Sequence, residues 1–142
     1  MRHQTSNACG PNALHNALQC LGRDISQEKL EKLAKTTTEG SDENDVLRAA
    51  RKYAMPLTFT ATDPVSAMAE LRGHLVVGSP VVLAVDQDAH WVAAIGLCGS
   101  RIVLADGADN SLVIVGQPGE LVGRWRSGAG MYYGIALYRK AK

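Results

Sequence analysis

The first half of the chain mixes apolar and polar residues with the three-to-four spacing of amphipathic helices. Leu14 and Leu18 belong to the first such pattern, and Asp63 with Pro64 has the features of a helix start. Pro56 is predicted to end the third helix, because the residue before a proline disfavours helical backbone. The predicted helices cover residues 8–21, 26–34, 41–55 and 63–75, and a short strand covers residues 57–60.

The second half consists of short, branched, apolar runs that Gly, Asp and Asn separate, which is typical of strands. The runs cover residues 80–85, 91–97, 102–105, 112–115 and 132–138, and residues 118–125 predict one short helix. Helices first and strands later predict an α+β fold with a mixed or antiparallel sheet, not the alternation of a parallel α/β sheet. No repeat or linker divides the chain, so we expect residues 1–142 to form one domain.

Composition narrows the possible functions. With 46% hydrophobic residues, 20% charged residues and a net charge of +1, the chain gives no electrostatic reason to expect a nucleic-acid or membrane partner. No apolar run approaches the roughly 20 residues that span a bilayer. The N-terminus lacks the apolar core of a secretory signal, so we expect a cytoplasmic protein. The three cysteines form no CxxC pair and the four histidines lack metal-ligand spacing, so we expect no metal or cofactor.

Cys9 is the first candidate for chemistry, because it lies where the first predicted helix begins. A helix N-terminus presents free N–H groups and a partial positive charge, which favour a thiolate over a thiol. Gly10 would let a substrate carbonyl approach the backbone closely, and the Cys9 N–H could then donate to a developing oxyanion. The sequence therefore predicts a nucleophile at Cys9 and a substrate contact at Gly10.

A thiol nucleophile also needs a base, a group that orients the base and a second oxyanion donor. His90 is the best base, because it lies at the turn into an apolar strand, near the end of the predicted sheet. The next strand ends at Asp106, and in an antiparallel hairpin that residue returns close to the start of the first strand. Asp106 is thus predicted to accept the ring N–H of His90, and Gln4 is the candidate second donor. Trp91, beside the base, is a candidate substrate contact.

Each of these residues also has an ordinary structural explanation. A lone cysteine at a helix start is more often a small core residue, and a histidine before a strand is usually a turn residue. The order Gln, Cys, His, Asp favours catalysis over those separate explanations. Cys20 and Cys98 are interpreted as small core residues, and His15 as a structural residue of the first helix. His74 lies near a helix end, where a cation is favourable in any case.

Three segments of the chain resemble one known family. They read HQTSNACGPNALHNALQCLG, AHWVAAIGL and VLADG, and they are similar to the bacteriocin-processing, double-glycine leader peptidases, which are papain-like cysteine peptidases. The resemblance implies that Cys9 is the nucleophile, His90 the base, Asp106 its orienting group and Gln4 the oxyanion donor. The spacing from Gln4 to Cys9 is one residue shorter than the common papain-like spacing. The implied fold is a papain-like α+β domain, with N-terminal helices packed on a C-terminal, mostly antiparallel sheet.

The resemblance also implies a substrate and a partner. Members of this family cut leader peptides after Gly-Gly and often form the N-terminal part of an ABC exporter, so a peptide substrate and docking to an exporter are expected. Three alternatives remain open. The N-terminal segment, with His15 and Asn16, is also similar to the Josephin deubiquitinases. The same triad would serve acyl transfer to an amine, as in a transglutaminase. A third alternative is a catalytically inactive domain that binds peptides.

Overall fold

The structure is a computed structural model, and it describes residues 9–33, 43–85, 90–99, 101–106, 111–115, 118–125 and 130–140. Five helices and six strands form this part of the chain. The helices are α1 (Cys9–Cys20), α2 (Gln27–Leu33), α3 (Glu43–Tyr53), α4 (Pro64–Val76) and α5 (Pro118–Trp125). The strands are β1 (Ala54–Ala61), β2 (Val81–Val85), β3 (His90–Cys98), β4 (Arg101–Asp106), β5 (Ser111–Val115) and β6 (Tyr132–Arg139).

The strands form one sheet in the order β1-β6-β2-β3-β4-β5. Every pair of neighbours in this sheet is antiparallel. Strands β2, β3, β4 and β5 follow one another both in sequence and in space, whereas the last strand, β6, lies between β1 and β2. The predicted α+β class and the mostly antiparallel sheet are confirmed.

Two apolar clusters cover the two faces of this sheet. The first, here called the α1 face, joins residues of α1, α2 and α3 to alternate residues of the central strands, such as Val82, Trp91 and Ala93. The second, here called the α4 face, joins residues of α4 and α5 to the intervening residues, such as Leu83, Val92 and Ala94. Because both faces are covered, β2 is buried along its whole length, which explains its continuous apolar sequence.

The start of α4 is the local feature that the sequence predicted best. Asp63 caps this helix, since its side chain accepts a hydrogen bond from the backbone N–H of Ser66 (2.9 Å), and Pro64 occupies the first turn. The hydrogen bonds from Ser66 hold the pKa of the Asp63 carboxyl below its ordinary value. The residue types alone indicate this geometry, because a cap depends on neighbours three residues apart.

Pro56 does not act as the sequence suggested. We expected it to end the third helix ahead of a strand over residues 57–60, but α3 ends at Tyr53 and β1 already begins at Ala54. The N–H of Leu137 donates to Pro80 on the β2 side of β6 (2.9 Å). On the β1 side of β6, Leu137 is paired with Pro56. Because the N–H of Leu137 points towards β2, the nitrogen of Pro56 points away from β6, to the outer edge of β1. A proline is tolerated there because no ladder hydrogen bond is lost.

An aromatic cluster ties α4 and α5 to β1 and β6. The ring of Phe59 stacks on His74 (5.4 Å between centroids) and meets Trp125 edge-on (6.0 Å). His74 is 6% exposed; its Nδ1 is hydrogen-bonded to the hydroxyl of Tyr138 (2.5 Å), and its Nε2 lies 2.8 Å from Oε2 of Glu70. His74, near the end of α4, is therefore a buried anchor of this cluster.

Gly134 of β6 leaves the space that Phe59 fills. A Cβ atom at Gly134 would lie 2.6 Å from Cζ and 2.8 Å from Cε1 of the Phe59 ring, and 3.2 Å from Cδ2 of Leu83. The Phe59 ring cannot simply turn away, because His74 and Trp125 hold it from two sides. We expect Gly134→Ala to lower the free energy of unfolding by about 1–3 kcal/mol, as overpacked cores do, measured from urea denaturation midpoints.

The matched control is Gly96→Ala, because Gly96 also lies in a strand but a Cβ there meets nothing within 4 Å. We expect this variant to change stability by less than about 0.5 kcal/mol. In a Phe59→Leu background, Gly134→Ala should cost less than it does in the parent protein. Equal costs in the two backgrounds would show that the Phe59 ring is not the obstacle.

Candidate active site

The candidate site begins at the N-terminus of α1. Cys9 is the first residue of this helix, and the next two residues, Gly10 and Pro11, are buried. The predicted placement of Cys9 at a helix start is therefore confirmed. The N–H groups of a first helical turn have no partners within the helix and carry its partial positive charge, so the position suits an anionic sulfur.

Helix α1 is held against the sheet by its small and branched apolar side chains. Ala13, Leu14 and Ala17 pack in the α1 face together with Trp91 and Ala93 of β3. Two alanines on the helix and one on the strand permit close approach of helix to sheet. Because β3 begins at His90, this packing joins the element that carries the candidate nucleophile to the element that carries the candidate base.

A hydrogen bond fixes the segment that follows α1. Nδ1 of His15 lies 2.7 Å from the carbonyl oxygen of Ile25, which precedes α2. His15 is half-buried in this contact, so it has the structural role that the sequence predicted for it.

His90 and Asp106 lie at the same end of two neighbouring strands. His90 is the first residue of β3 and is half-buried, and Asp106 is the last residue of β4. The register pairs Ala93 with Ala105, and one further step places Asp106 opposite Val92. Its backbone is thus diagonal to His90, at about 7–8 Å, a distance that side chains bridge. The hairpin predicted from the sequence, with its second strand ending near the start of the first, is confirmed.

The other predicted site residues have different surroundings. Trp91 is 8% exposed and meets Tyr133 edge-on at 6.3 Å between ring centroids, so in this structure it belongs to the core. Gly10 is buried in the first turn of α1. Gln4 lies outside the described residues. The roles of these three residues in substrate binding or oxyanion stabilisation stay predictions.

The two remaining cysteines are not the core residues that we expected. Cys20 ends α1 and Cys98 ends β3, and both are exposed, free thiols. Although Cys20 is exposed as a residue, partial burial of its thiol raises the pKa of that thiol. It is therefore less ionised at neutral pH than an ordinary cysteine. Both residues lie at element ends, where a small residue is not forced inward.

Asn12 is the one buried polar residue near Cys9 that the sequence gave no reason to single out. It is 2% exposed on α1, one helical turn after Cys9, and neither its Oδ1 nor its Nδ2 has a hydrogen-bond partner within the described part of the chain. Asn16, four residues further along, is buried as well, at 3% exposed, and two asparagines that interrupt the apolar pattern of α1 are the signal that could have indicated Asn12.

Among the described residues, no cluster of three or more His, Cys, Asp or Glu side chains has the arrangement of a metal site. Within the same residues, no helix combines the length and the apolar character needed to cross a bilayer.

The model of the Peptidase_C39 like family matches residues 1–126 of the chain. No curated protein sequence matches this chain.

Three solved structures are similar over nearly the whole chain. The peptidase domain of Streptococcus ComA, a bi-functional ABC transporter involved in quorum sensing, has a TM-score of 0.71 at 15% identity, covering 99% of this chain and 97% of that one. A double glycine motif protease from an AMS/PCAT transporter, in complex with a leader peptide, has a TM-score of 0.68 at 22% identity, with coverages of 97% and 89%. A protein described as a C39-like peptidase from Bacillus anthracis has a TM-score of 0.71 at 15% identity, with coverages of 96% and 90%. At these identities the likeness shows a shared fold.

The helix-start position of Cys9 leads to a prediction about thiol reactivity. At pH 6.5 we expect iodoacetamide to alkylate Cys9 at least about tenfold faster than Cys20 or Cys98, because a thiolate at a helix N-terminus forms at lower pH than an exposed thiol. Peptide mass mapping after timed quenching gives the three rates in one sample. The other two cysteines are internal controls, and equal rates at all three would contradict an activated Cys9.

Proposed function

The chain belongs to the Peptidase_C39 like family, and on that premise we propose that it is a cysteine peptidase in which Cys9, His90 and Asp106 form the catalytic triad. The observation that supports this proposal is that the three elements carrying these residues are neighbours in the fold. Helix α1 begins at Cys9 and packs on β3, β3 begins at His90, and β4 beside it ends at Asp106. A triad requires side chains from separate elements to meet, and this topology supports such a meeting.

The reaction follows from the chemistry of these groups. The Cys9 thiolate attacks the carbonyl carbon of the scissile bond, and the carbonyl oxygen takes up the negative charge. The Cys9 N–H and the Gln4 side chain donate hydrogen bonds to that oxygen. Protonated His90 then gives its proton to the leaving nitrogen as the C–N bond breaks, which leaves a thioester on Cys9.

Deacylation restores the enzyme. Neutral His90 takes a proton from water while the water oxygen attacks the thioester carbon, and the C–S bond breaks to release the acid and the thiolate. Asp106 accepts the other ring N–H of His90 and so fixes the tautomer that both steps need. The group that must change its protonation state is thus the histidine, and the cysteine returns as a thiolate.

The proposed substrate is a leader peptide that is cut after Gly-Gly. The transporter domain bound to its leader peptide and the family membership support this choice. Glycines suit a narrow cleft, because a main chain without side chains can approach the catalytic helix closely. We propose an ABC exporter as the partner that presents such a peptide, on the same basis.

The triad is tested by substitution. Cys9→Ala should abolish cleavage of a fluorogenic Gly-Gly leader peptide. His90→Ala should lower kcat/KM by about 10²–10⁴-fold, the usual contribution of a general acid–base. Asp106→Ala should cost less than His90→Ala, because Asp106 acts through the histidine. Initial rates over a pH series measure all three effects.

Cys98→Ala is the matched control, since Cys98 lies at the far end of the strand that begins with His90 and is exposed. It should cleave at the parent rate. Including a ubiquitin-derived substrate and an added amine acceptor tests deubiquitination and acyl transfer against hydrolysis. Full activity of Cys9→Ala would rule out the proposed nucleophile. Peptide binding without any cleavage by the parent protein would indicate an inactive binding domain.

A further inference from the structure

Asn12 combines burial with an absence of hydrogen-bond partners near the proposed nucleophile. Its side chain is 2% exposed, and within the described residues neither carboxamide atom is hydrogen-bonded. Buried polar groups in folded proteins are nearly always paired, because an unpaired one loses its hydration without compensation. An unpaired buried carboxamide therefore needs an explanation.

The position of Asn12 on α1 relates it to Cys9. Residues three apart lie next to each other on one side of a helix. Helical side chains also lean towards the N-terminus, so the side chain of Asn12 covers the turn that begins at Cys9. From this tendency we infer that the carboxamide faces the end of the helix that begins at Cys9.

An alanine at position 12 would avoid the free-energy cost of an unpaired, buried carboxamide. Ala13 and Ala17 show that this part of α1 accepts small apolar side chains against the sheet. Alanine also has a higher helix propensity than asparagine. Retaining an unpaired carboxamide lowers stability, and such local conflicts in a protein are expected at functional sites.

We propose that the carboxamide of Asn12 binds the main chain of the peptide substrate beside the scissile bond and thereby selects glycine there. This inference rests on the peptidase function proposed above. A carboxamide carries both donors and an acceptor, so it can pair with the C=O and the N–H of one peptide unit. That unit would supply the partners that the free protein does not.

The same geometry explains a preference for glycine. Because both carboxamide atoms are covered in the free protein, a substrate would pair with them only by laying its main chain close to α1, in place of the groups that cover them. A side chain on the substrate at that point would stand between the two, whereas glycine has no Cβ atom to interfere. Asn12 would then reject larger residues by withholding its hydrogen bonds from them, in the way that a polar site rejects substrates that leave it unpaired.

The test compares Asn12→Ala with Asn16→Ala. Asn16 lies one turn further along α1 and is also buried, at 3% exposed, so it controls for the loss of a buried asparagine. For Asn12→Ala we expect an equal or higher Tm. We expect kcat/KM on a Gly-Gly peptide to fall about tenfold, mainly through KM, and the preference for Gly-Gly over Gly-Ala peptides to fall by a similar factor. Asn16→Ala should keep the parent preference.

A binding measurement separates this inference from the proposed catalysis. In a Cys9→Ala background, adding Asn12→Ala should weaken binding of the uncleaved Gly-Gly peptide about tenfold by calorimetry. An unchanged Gly-Gly preference together with unchanged binding would overturn the role of Asn12 and leave the peptidase function standing. A Tm lowered more than in Asn16→Ala, or failure to fold, would also overturn it, because the carboxamide would then contribute to the stability of the free protein. Full cleavage by Cys9→Ala, in contrast, would overturn the peptidase proposal.

Discussion

Strand β3 is buried from both sides, and the rest of the molecule is arranged around it. Trp91 and Ala93 lie in the α1 face, while Val92 and Ala94 lie in the α4 face. A shift of this strand by one residue would exchange the two sets of side chains and disrupt both clusters. Its register against β2 and β4 is therefore strongly specified, and His90, at its start, is held in a fixed place relative to the end of β4.

The two sides of the sheet contribute differently to the protein. The α4 face contains a dense aromatic contact, in which Trp125 donates its Nε1–H to the carbonyl of Tyr133 (2.8 Å) and packs edge-on against Tyr132. The α1 face relies on alanines and leucines that bring one helix close to the sheet. Close packing of this kind transmits small displacements, so a substitution under α1 should change the position of Cys9 even where it touches no substrate.

Patterns that depend on near neighbours in the chain were predictable, and those that depend on distant ones were not. The helix start at Asp63 and the hairpin that brings Asp106 towards His90 follow from residues close in sequence, and both were found. The burial of His74 depends on Tyr138 and Phe59, which come from two other elements. The place of Pro56 within a strand depends on β1 lying at the sheet edge, because a proline in a central strand would cost a ladder hydrogen bond. Neither neighbourhood can be read from local spacing.

Asn12 shows why a buried polar residue is harder to predict than the fold that surrounds it. A sequence pattern identifies buried positions by their apolar character, so a polar residue on a buried face is interpreted as exposed. The structure encloses it nonetheless, since Ala13, Leu14 and Ala17 around it require α1 to lie against the sheet. Packing thus determines where the polar group goes, at a cost that the apolar contacts of the same helix offset. An unpaired buried residue next to a proposed nucleophile is explained more readily by what it binds than by what it supports.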